Sequence, residues 1–305
     1  MNQIQELKDL LKSFSSTLYY LPNPGNAGDS LIASATHQFF EKHQIDYKTV
    51  LDANFRAAGK NVIYAGGGNF GGEHSRVAKA LMLHANSSKS FILLPHTLFG
   101  AEDLLAKLPK HVHIFCREKV SYKHALKHAR KANVYLTDDM VFNSNLQLFL
   151  NKPKNTVFQE TIKEVARRLA GNKDYDLGLA LSCLPKPLMS KVHQLLATQK
   201  PSGAILNAFR TDVEKTELII PKDNMDISDV YELSSCEPNL SNLSTYRFLS
   251  QIDSFNEVHT NRLHVAIGAM KLGKSVKLYG NNYFKIRAIY DYSIKDKYEN
   301  VEWCD

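Results

Sequence analysis

Short apolar runs and helix-length amphipathic stretches take turns along most of this chain, and that alternation restricts its fold more than any other feature. In the first half, strand-like runs stand at Leu18–Leu21, Lys48–Leu51, Asn61–Ala65, Phe91–Leu94, Val112–Cys116 and Val134–Leu136. Between them, apolar residues recur at helical spacing over Ser30–His43, Ser75–Asn86, Glu102–Lys107 and Glu118–Arg130, with Asp29 and Ser75 placed to cap two of the starts. Short, continuously apolar strands need cover on both faces, and intervening helices supply it. The pattern therefore predicts a parallel sheet wrapped on two sides.

The alternation weakens between Asn143 and Asp174, where "NKPKNTVFQETIKEVARRLAGNKD" combines a helical stretch with polar, turn-forming edges. It then resumes, with strand-like runs at Leu177–Leu181, Ala204–Ala208, Leu218–Ile220, Glu257–Thr260 and Val276–Tyr279, and helix-like runs at Pro187–Ala197, Leu243–Asp253 and Arg262–Leu272. A chain of 305 residues has room for two domains. The expected architecture is α/β: two Rossmann-like doubly wound domains facing a cleft, over residues 1–145 and 175–305, joined by a linker region over 146–174.

Composition narrows the class of function. With 44% hydrophobic and 23% charged residues the chain reads as a soluble globular protein. No apolar run nears the roughly 20 residues that span a bilayer. The start, "MNQIQELKDLLKSF", reads as an amphipathic helix and lacks the pattern of a secretory signal. Four scattered cysteines (Cys116, Cys183, Cys236, Cys304) with no C-x-x-C pair argue against a disulfide framework or a zinc site and fit a reducing cytoplasm. A formal net charge of +7 suits an anionic partner. The basic groups at 123–131 and 271–277 are interleaved with apolar residues and carry no nucleic-acid signature, so no nucleic acid is expected.

In doubly wound sheets ligands bind beyond the carboxyl ends of the strands. The unusual stretches "PGNAGD", "GGGNFGG", "CRE", "AFRTD" and "HTNRLH" all fall on that edge. In "GNAGD", Asn26, Gly28 and Asp29 either shape a tight turn that caps a helix or form a cleft lip with Asp29 aimed inward. In "VIYAGGGNFGG", Gly67, Gly68 and Asn69 leave room for a ligand to approach, with amides of the next helix start as a further anion site. The spacing is neither the dinucleotide fingerprint nor a P-loop, since the "GK[ST]" ending is missing. Arg117, Arg210 and Arg262 each follow a predicted strand, and guanidinium forks suit carboxylates and phosphates. His264 stands two residues beyond Arg262, and histidine is the side chain best suited to move a proton near neutral pH. Thr260 or Asn261 is placed to cap the helix that follows. Asp212 and Glu214 in "FRTDVE" are candidates to pair with Arg210 or to bind sugar hydroxyls. In "LTDDMVF", Asp138 or Asp139 falls at the edge between the domains.

In order, "GNAGD", "GGGNFG", "REKVSY", "FRTDVE", "TNRLHVAIGAMKLGKSV" and "NNYFK" resemble the polysaccharide pyruvyl transferase family over roughly residues 20–290. The resemblance implies a fold like that of the two-domain GT-B glycosyltransferases. It also implies transfer of pyruvate from phosphoenolpyruvate onto two hydroxyls of a sugar, giving a cyclic ketal and phosphate. The acceptor is then a sugar of a cell-surface polysaccharide or exopolysaccharide precursor. By the same resemblance Arg262 and His264 bind the donor, Arg117 is a further anion clamp, and Arg210 and Lys285 join the donor site. His264 and Asp29 are the expected acid and base, in either order. Asn26, Gly28, Gly67, Gly68, Asn69 and Asp212 are assigned to the acceptor side or the shape of the cleft. Phe284 departs from the smaller residue familiar beside the retained Lys285. The chemistry calls for no metal and no cofactor beyond phosphoenolpyruvate as co-substrate.

Two other readings stay open: a glycosyltransferase of the same architecture using a nucleotide sugar, and a non-catalytic glycan-binding protein on the same scaffold. The basic, aromatic end "YFKIRAIYDYSIKDKYENVEW" allows either peripheral attachment to an anionic membrane, at its inner face, or a last helix packed back on the N-terminal domain. Lipid linkage of the acceptor and oligomeric state are not readable.

Overall fold

The computed structural model describes residues 3–151, 205–212 and 218–304. Two parallel sheets organise them. The first has the order β2-β1-β3-β5-β6-β7, built from β1 (Leu18–Leu21), β2 (Tyr47–Thr49), β3 (Asn61–Tyr64), β5 (Ser90–Phe99), β6 (Val112–Cys116) and β7 (Asn133–Leu136), with β4 (Gly67–Gly71) pairing the far half of β5. The second has the order β11-β10-β9-β8, from β8 (Ile205–Ala208), β9 (Glu257–Thr260), β10 (Ser275–Tyr279) and β11 (Val301–Cys304). Every strand pair in both sheets is parallel. The expected mixed α/β class with parallel sheets is observed. The expected strand Leu177–Leu181, the helix Pro187–Ala197, most of the expected linker and Glu214 lie outside the described residues.

Burial explains why the apolar runs became strands. All four residues of β3 and nine of the ten in β5 are buried, as a central strand covered on both faces requires. Among the covering helices are α1 (Gln3–Lys12), α2 (Ala27–Lys42), α3 (Arg76–His84), α4 (Glu102–Lys107) and α5 (Lys119–His128). A four-residue helix, α6 (Gln147–Leu150), closes the first described stretch. The second sheet brings α7 (Ile227–Val230), α8 (Pro238–Asp253), α9 (Leu263–Lys271) and α10 (Lys285–Ile289), the last running into a π-helical turn over Tyr290–Ile294.

One hydrophobic core runs through both sheets, and α2 is its centre. Twelve of the sixteen α2 residues are buried, including Leu31 and Ile32, because the helix faces its own sheet on one side and α8 on the other. Ser34 keeps that second face small and hydrogen-bonds Thr245 of α8 through buried hydroxyls at 3.0 Å. Phe248, Leu249 and Ile252 complete the contact layer. Each large side chain buried here contributes about 1.5–3 kcal/mol.

Three local expectations change. "GGGNFG" does not turn into a helix: after Ala65 and Gly66 the chain resumes as β4, and the next helix begins only at Arg76, capped by Ser75. Leu218–Ile220 is not a strand, and its Ile219 side chain is almost fully exposed. A strand that was not expected, β11, follows the last helix, because Val301 pairs in register with Val276 and extends the apolar side of the sheet. Ser293 of the preceding turn hydrogen-bonds Asp138 at 2.7 Å, so this end also touches the edge of the first sheet.

Candidate active site

A pocket of about 310 Å³ opens where the carboxyl ends of both sheets meet. The turn from β1 into α2 supplies Asn26, Gly28 and Asp29; β4 supplies Gly68 and Asn69; Arg117 follows β6. From the second sheet, Arg210 follows β8, Arg262 and His264 follow β9, and Lys285 opens α10. Ten of the twelve residues named from the sequence line it, and Gly67 and Asp212 do not.

The α2 turn shows how a cap and a site residue can be the same group. Asn26 is the N-cap and accepts from the Gly28 amide at 2.9 Å, while Asp29 accepts from the Asn26 amide at 3.0 Å, closing a reciprocal capping box. Asp29 therefore caps the helix and lines the pocket. Burial pushes its carboxyl up from the ordinary range, against the opposing pull of His264, the Asn26 amide, Arg117 and Lys285. Gly25 has to be small, since a Cβ there would collide with the Asp29 carboxylate.

Arg117 is almost fully buried. Its Nε donates to Thr97 at 2.9 Å and its Nη1 to Asp139 at 2.7 Å, while its Nη2 lies against Gly68, where a Cβ would collide with it. Asp139 is inaccessible to solvent, accepts from the Val141 amide at 3.0 Å, and stands 3.6 Å from His264 Nε2. Burial alone would raise the Asp139 carboxyl, yet His264, Arg117 and the Val141 amide together hold it well below the usual carboxylate range. At 3.6 Å the His264 contact is longer than a hydrogen bond, and among the described residues Nε2 has no hydrogen-bond partner.

The other two arginines are engaged by carboxylates. Arg262 binds Asp226 with Nε at 2.9 Å and with Nη2, reaches Asp229 at 3.2 Å and approaches Asp212 at 3.6 Å. Arg210 takes Asp212 in a bidentate pair, both bonds at 2.8 Å. None of these partner carboxylates lines the pocket, so its wall presents four cations, Arg117, Arg210, Arg262 and Lys285, to one carboxylate, Asp29. Neither Thr260 nor Asn261 caps α9 as expected. Thr260 accepts from the Arg262 amide at 2.9 Å, and Asn261 accepts from the Arg210 amide at 2.8 Å, tying the β8 and β9 loops together.

A neutral polar network floors the first-sheet side. Asn69 exchanges two hydrogen bonds with Asn23, at 3.0 and 3.2 Å, and accepts from His96 Nε2 at 3.0 Å. Burial, then Arg117, pushes the His96 imidazole down to about 3, so it is neutral at ordinary pH. Asn23, His96, Asp226 and Asp229 were not singled out in the sequence. Asp139 was noted there only as an edge residue, although its position just past β7, on the ligand edge, was a usable signal.

Comparison with known proteins bears on this site. A family model described as polysaccharide pyruvyl transferase matches residues 26–283. The Bacillus subtilis (strain 168) protein named "Putative pyruvyl transferase EpsO" is 24% identical over 304 residues, covering 93% of this chain and 87% of that one. A crystal structure of a functionally uncharacterised protein from Klebsiella pneumoniae subsp. pneumoniae NTUH-K2044 superposes with a TM-score of 0.73 at 26% identity, covering 100% of this chain and 99% of the other.

Proposed function

This chain belongs to the polysaccharide pyruvyl transferase family, and on that premise we propose that it moves the pyruvyl group of phosphoenolpyruvate onto two hydroxyls of one sugar, forming a cyclic ketal and releasing phosphate. The observation that carries the reading is the pocket wall itself, four cations and one carboxylate from the ends of two sheets. A donor bearing a phosphate and a carboxylate needs such clustered positive charge, and preorganised cations stabilise the phosphate as its charge grows on departure. We also assign the arrangement to the two-domain GT-B type, with the acceptor on the first-sheet side and the donor on the second.

The reaction balances through two proton-transfer groups. A proton added to the methylene carbon of the donor leaves oxocarbenium character on the adjacent carbon. One sugar hydroxyl attacks that carbon as a base takes its proton. The carbon–oxygen bond to phosphate then breaks, and the second hydroxyl closes the ketal, its proton passing to the released phosphate, which departs as hydrogen phosphate. Asp29 and His264 are the groups within the pocket that can carry these protons. Arg117 and Lys285 are assigned to the anionic groups of the donor. Arg210 and Arg262, already held by carboxylates, contribute the potential of the wall and the rigidity of the β8 and β9 loops. Asn69, held by Asn23 and His96, is assigned to the acceptor hydroxyls.

The test is calorimetric titration of phosphoenolpyruvate into the wild type and Lys285→Ala, with uridine diphosphate sugars as controls. Binding to the wild type, weakened at least tenfold in the variant, is the expected result. Heat from a nucleotide sugar with none from phosphoenolpyruvate would replace this reading by glycosyl transfer.

A further inference from the structure

The two nitrogens of His264 face different surroundings. Nε2 is buried, has no hydrogen-bond partner among the described residues, and lies 3.6 Å from the Oδ2 atom of Asp139. Nδ1 lies on the other side of the ring, against the first turn of α2: a Cβ built on Gly28 would come within 3.0 Å of it and within 3.1 Å of the His264 Cβ. Gly28 is itself part of the pocket wall. One nitrogen therefore faces a buried carboxylate and the other the Gly28 turn of the pocket wall, with Asn26 Oδ1 also close to that turn.

Asp139 is fixed well enough to choose between them. Its Oδ1 is spent on the Val141 amide, within the one-turn 3₁₀ helix over Met140–Asn143 that it caps. That leaves Oδ2 for Arg117 and His264 together. The same short helix holds α9 at its far end, where Lys271 Nζ donates to the Phe142 carbonyl at 2.6 Å. The helix carrying His264 is thus gripped at both ends by the segment that carries Asp139. A carboxylate can only accept, so the nitrogen facing it has to be the one bearing the hydrogen.

We propose that Asp139 is a positioning residue which holds the Nε2–H form of His264, so that Nδ1, presented past Gly28, is the nitrogen that exchanges the proton with substrate. The inference rests on His264 being the proton-transfer group assigned above. It adds which atom reacts, which residue sets the tautomer, and why the second residue of α2 is glycine. The 3.6 Å separation is longer than a hydrogen bond, so in the free protein the carboxylate acts on the facing nitrogen through its charge.

The experiment reads the tautomer directly. Two-bond nitrogen–proton correlation spectra of protein with ¹⁵N-labelled histidine, recorded at alkaline pH, distinguish Nε2–H from Nδ1–H, with His264→Gln identifying the signal. We expect Nε2–H in the wild type and a mixture of both forms in Asp139→Asn. Nδ1–H in the wild type, or an unchanged Nε2–H in Asp139→Asn, overturns the proposal. If that variant does not fold, the wild-type spectrum still decides. Phosphoenolpyruvate titrated into the same wild-type sample separates the two claims: no binding with Nε2–H present counts against the donor reading and leaves the tautomer assignment standing. In steady-state assays Gly28→Ala is expected to lower kcat at least tenfold with a smaller change in KM for phosphoenolpyruvate. Equal loss in both parameters would mean that Gly28 serves binding rather than access to Nδ1.

Discussion

Replacing Asp139 by alanine removes the only carboxylate among the described residues that is hydrogen-bonded to Arg117, whose side chain is 2% exposed. The guanidinium would be left buried, with Thr97 as its one remaining side-chain partner among the contacts described. Breaking a buried ion pair from one side costs about 3–5 kcal/mol, because the surviving charge keeps its desolvation penalty and loses its compensation. At about 2–4 °C per kcal/mol for a chain of this order, melting should fall by roughly 6–20 °C. The double replacement Arg117→Met with Asp139→Leu removes both charges and should recover most of the loss, though not activity. Asp229→Ala is the matched control: it also removes a carboxylate from an arginine, but that side chain is 50% exposed and Asp226 keeps its grip, so about 0–1 kcal/mol is expected. Thermal denaturation of the three variants beside wild type is the assay. If Asp139→Ala melts as wild type does, or the double variant melts below the single one, the argument from an uncompensated buried charge is wrong.

The same carboxylate sets a pH dependence. Because the folded-state pKa of Asp139 lies below its unfolded value, its contribution is complete above the ordinary carboxylate range and is lost as pH falls through that range toward the folded value. Asp139→Asn should therefore flatten the acid limb of a melting-temperature profile, and an unchanged limb would contradict the assignment. Asp29 has the opposite sign: its carboxyl is raised, so the ionised form costs stability as pH rises past the ordinary range. Asp29→Asn should melt higher than wild type at pH 8, converge with it near pH 4, and lose turnover at both. Equal melting at pH 8 would count against the raised carboxyl. Gly68→Ala puts a Cβ into the Arg117 guanidinium, which is too enclosed to yield freely, and should weaken phosphoenolpyruvate binding at least tenfold by calorimetry. Full binding in that variant would show that Arg117 does not hold the donor.

The alternation of strand and helix, the ligand edge and most of the pocket residues were legible in the sequence because each is carried by local pattern. β3 and β6 are short, mostly apolar runs, β9 and β10 alternate buried with less buried positions, and "TNRLH" puts Arg262 and His264 at a strand end whatever lies opposite. "GGGNFG" was misread because glycines signal a turn locally, whereas Gly67–Gly71 is held extended by pairing with β5, whose strand is more than twenty residues away in sequence. β11 escaped for a similar reason, being defined by its register on β10. The partners of the arginines were harder still. Asp139 meets Arg117 across 22 residues of chain and Asp226 meets Arg262 across 36, and aspartates near turns are too common for type or spacing to announce such pairs. Sequence by itself determined which chemistry-bearing side chains reach the ligand edge. Tertiary structure decided which carboxylates back the arginines and which nitrogen of His264 faces Asp139, because those outcomes depend on burial and on charge at a few ångströms, which exist only once the two sheets are packed around α2.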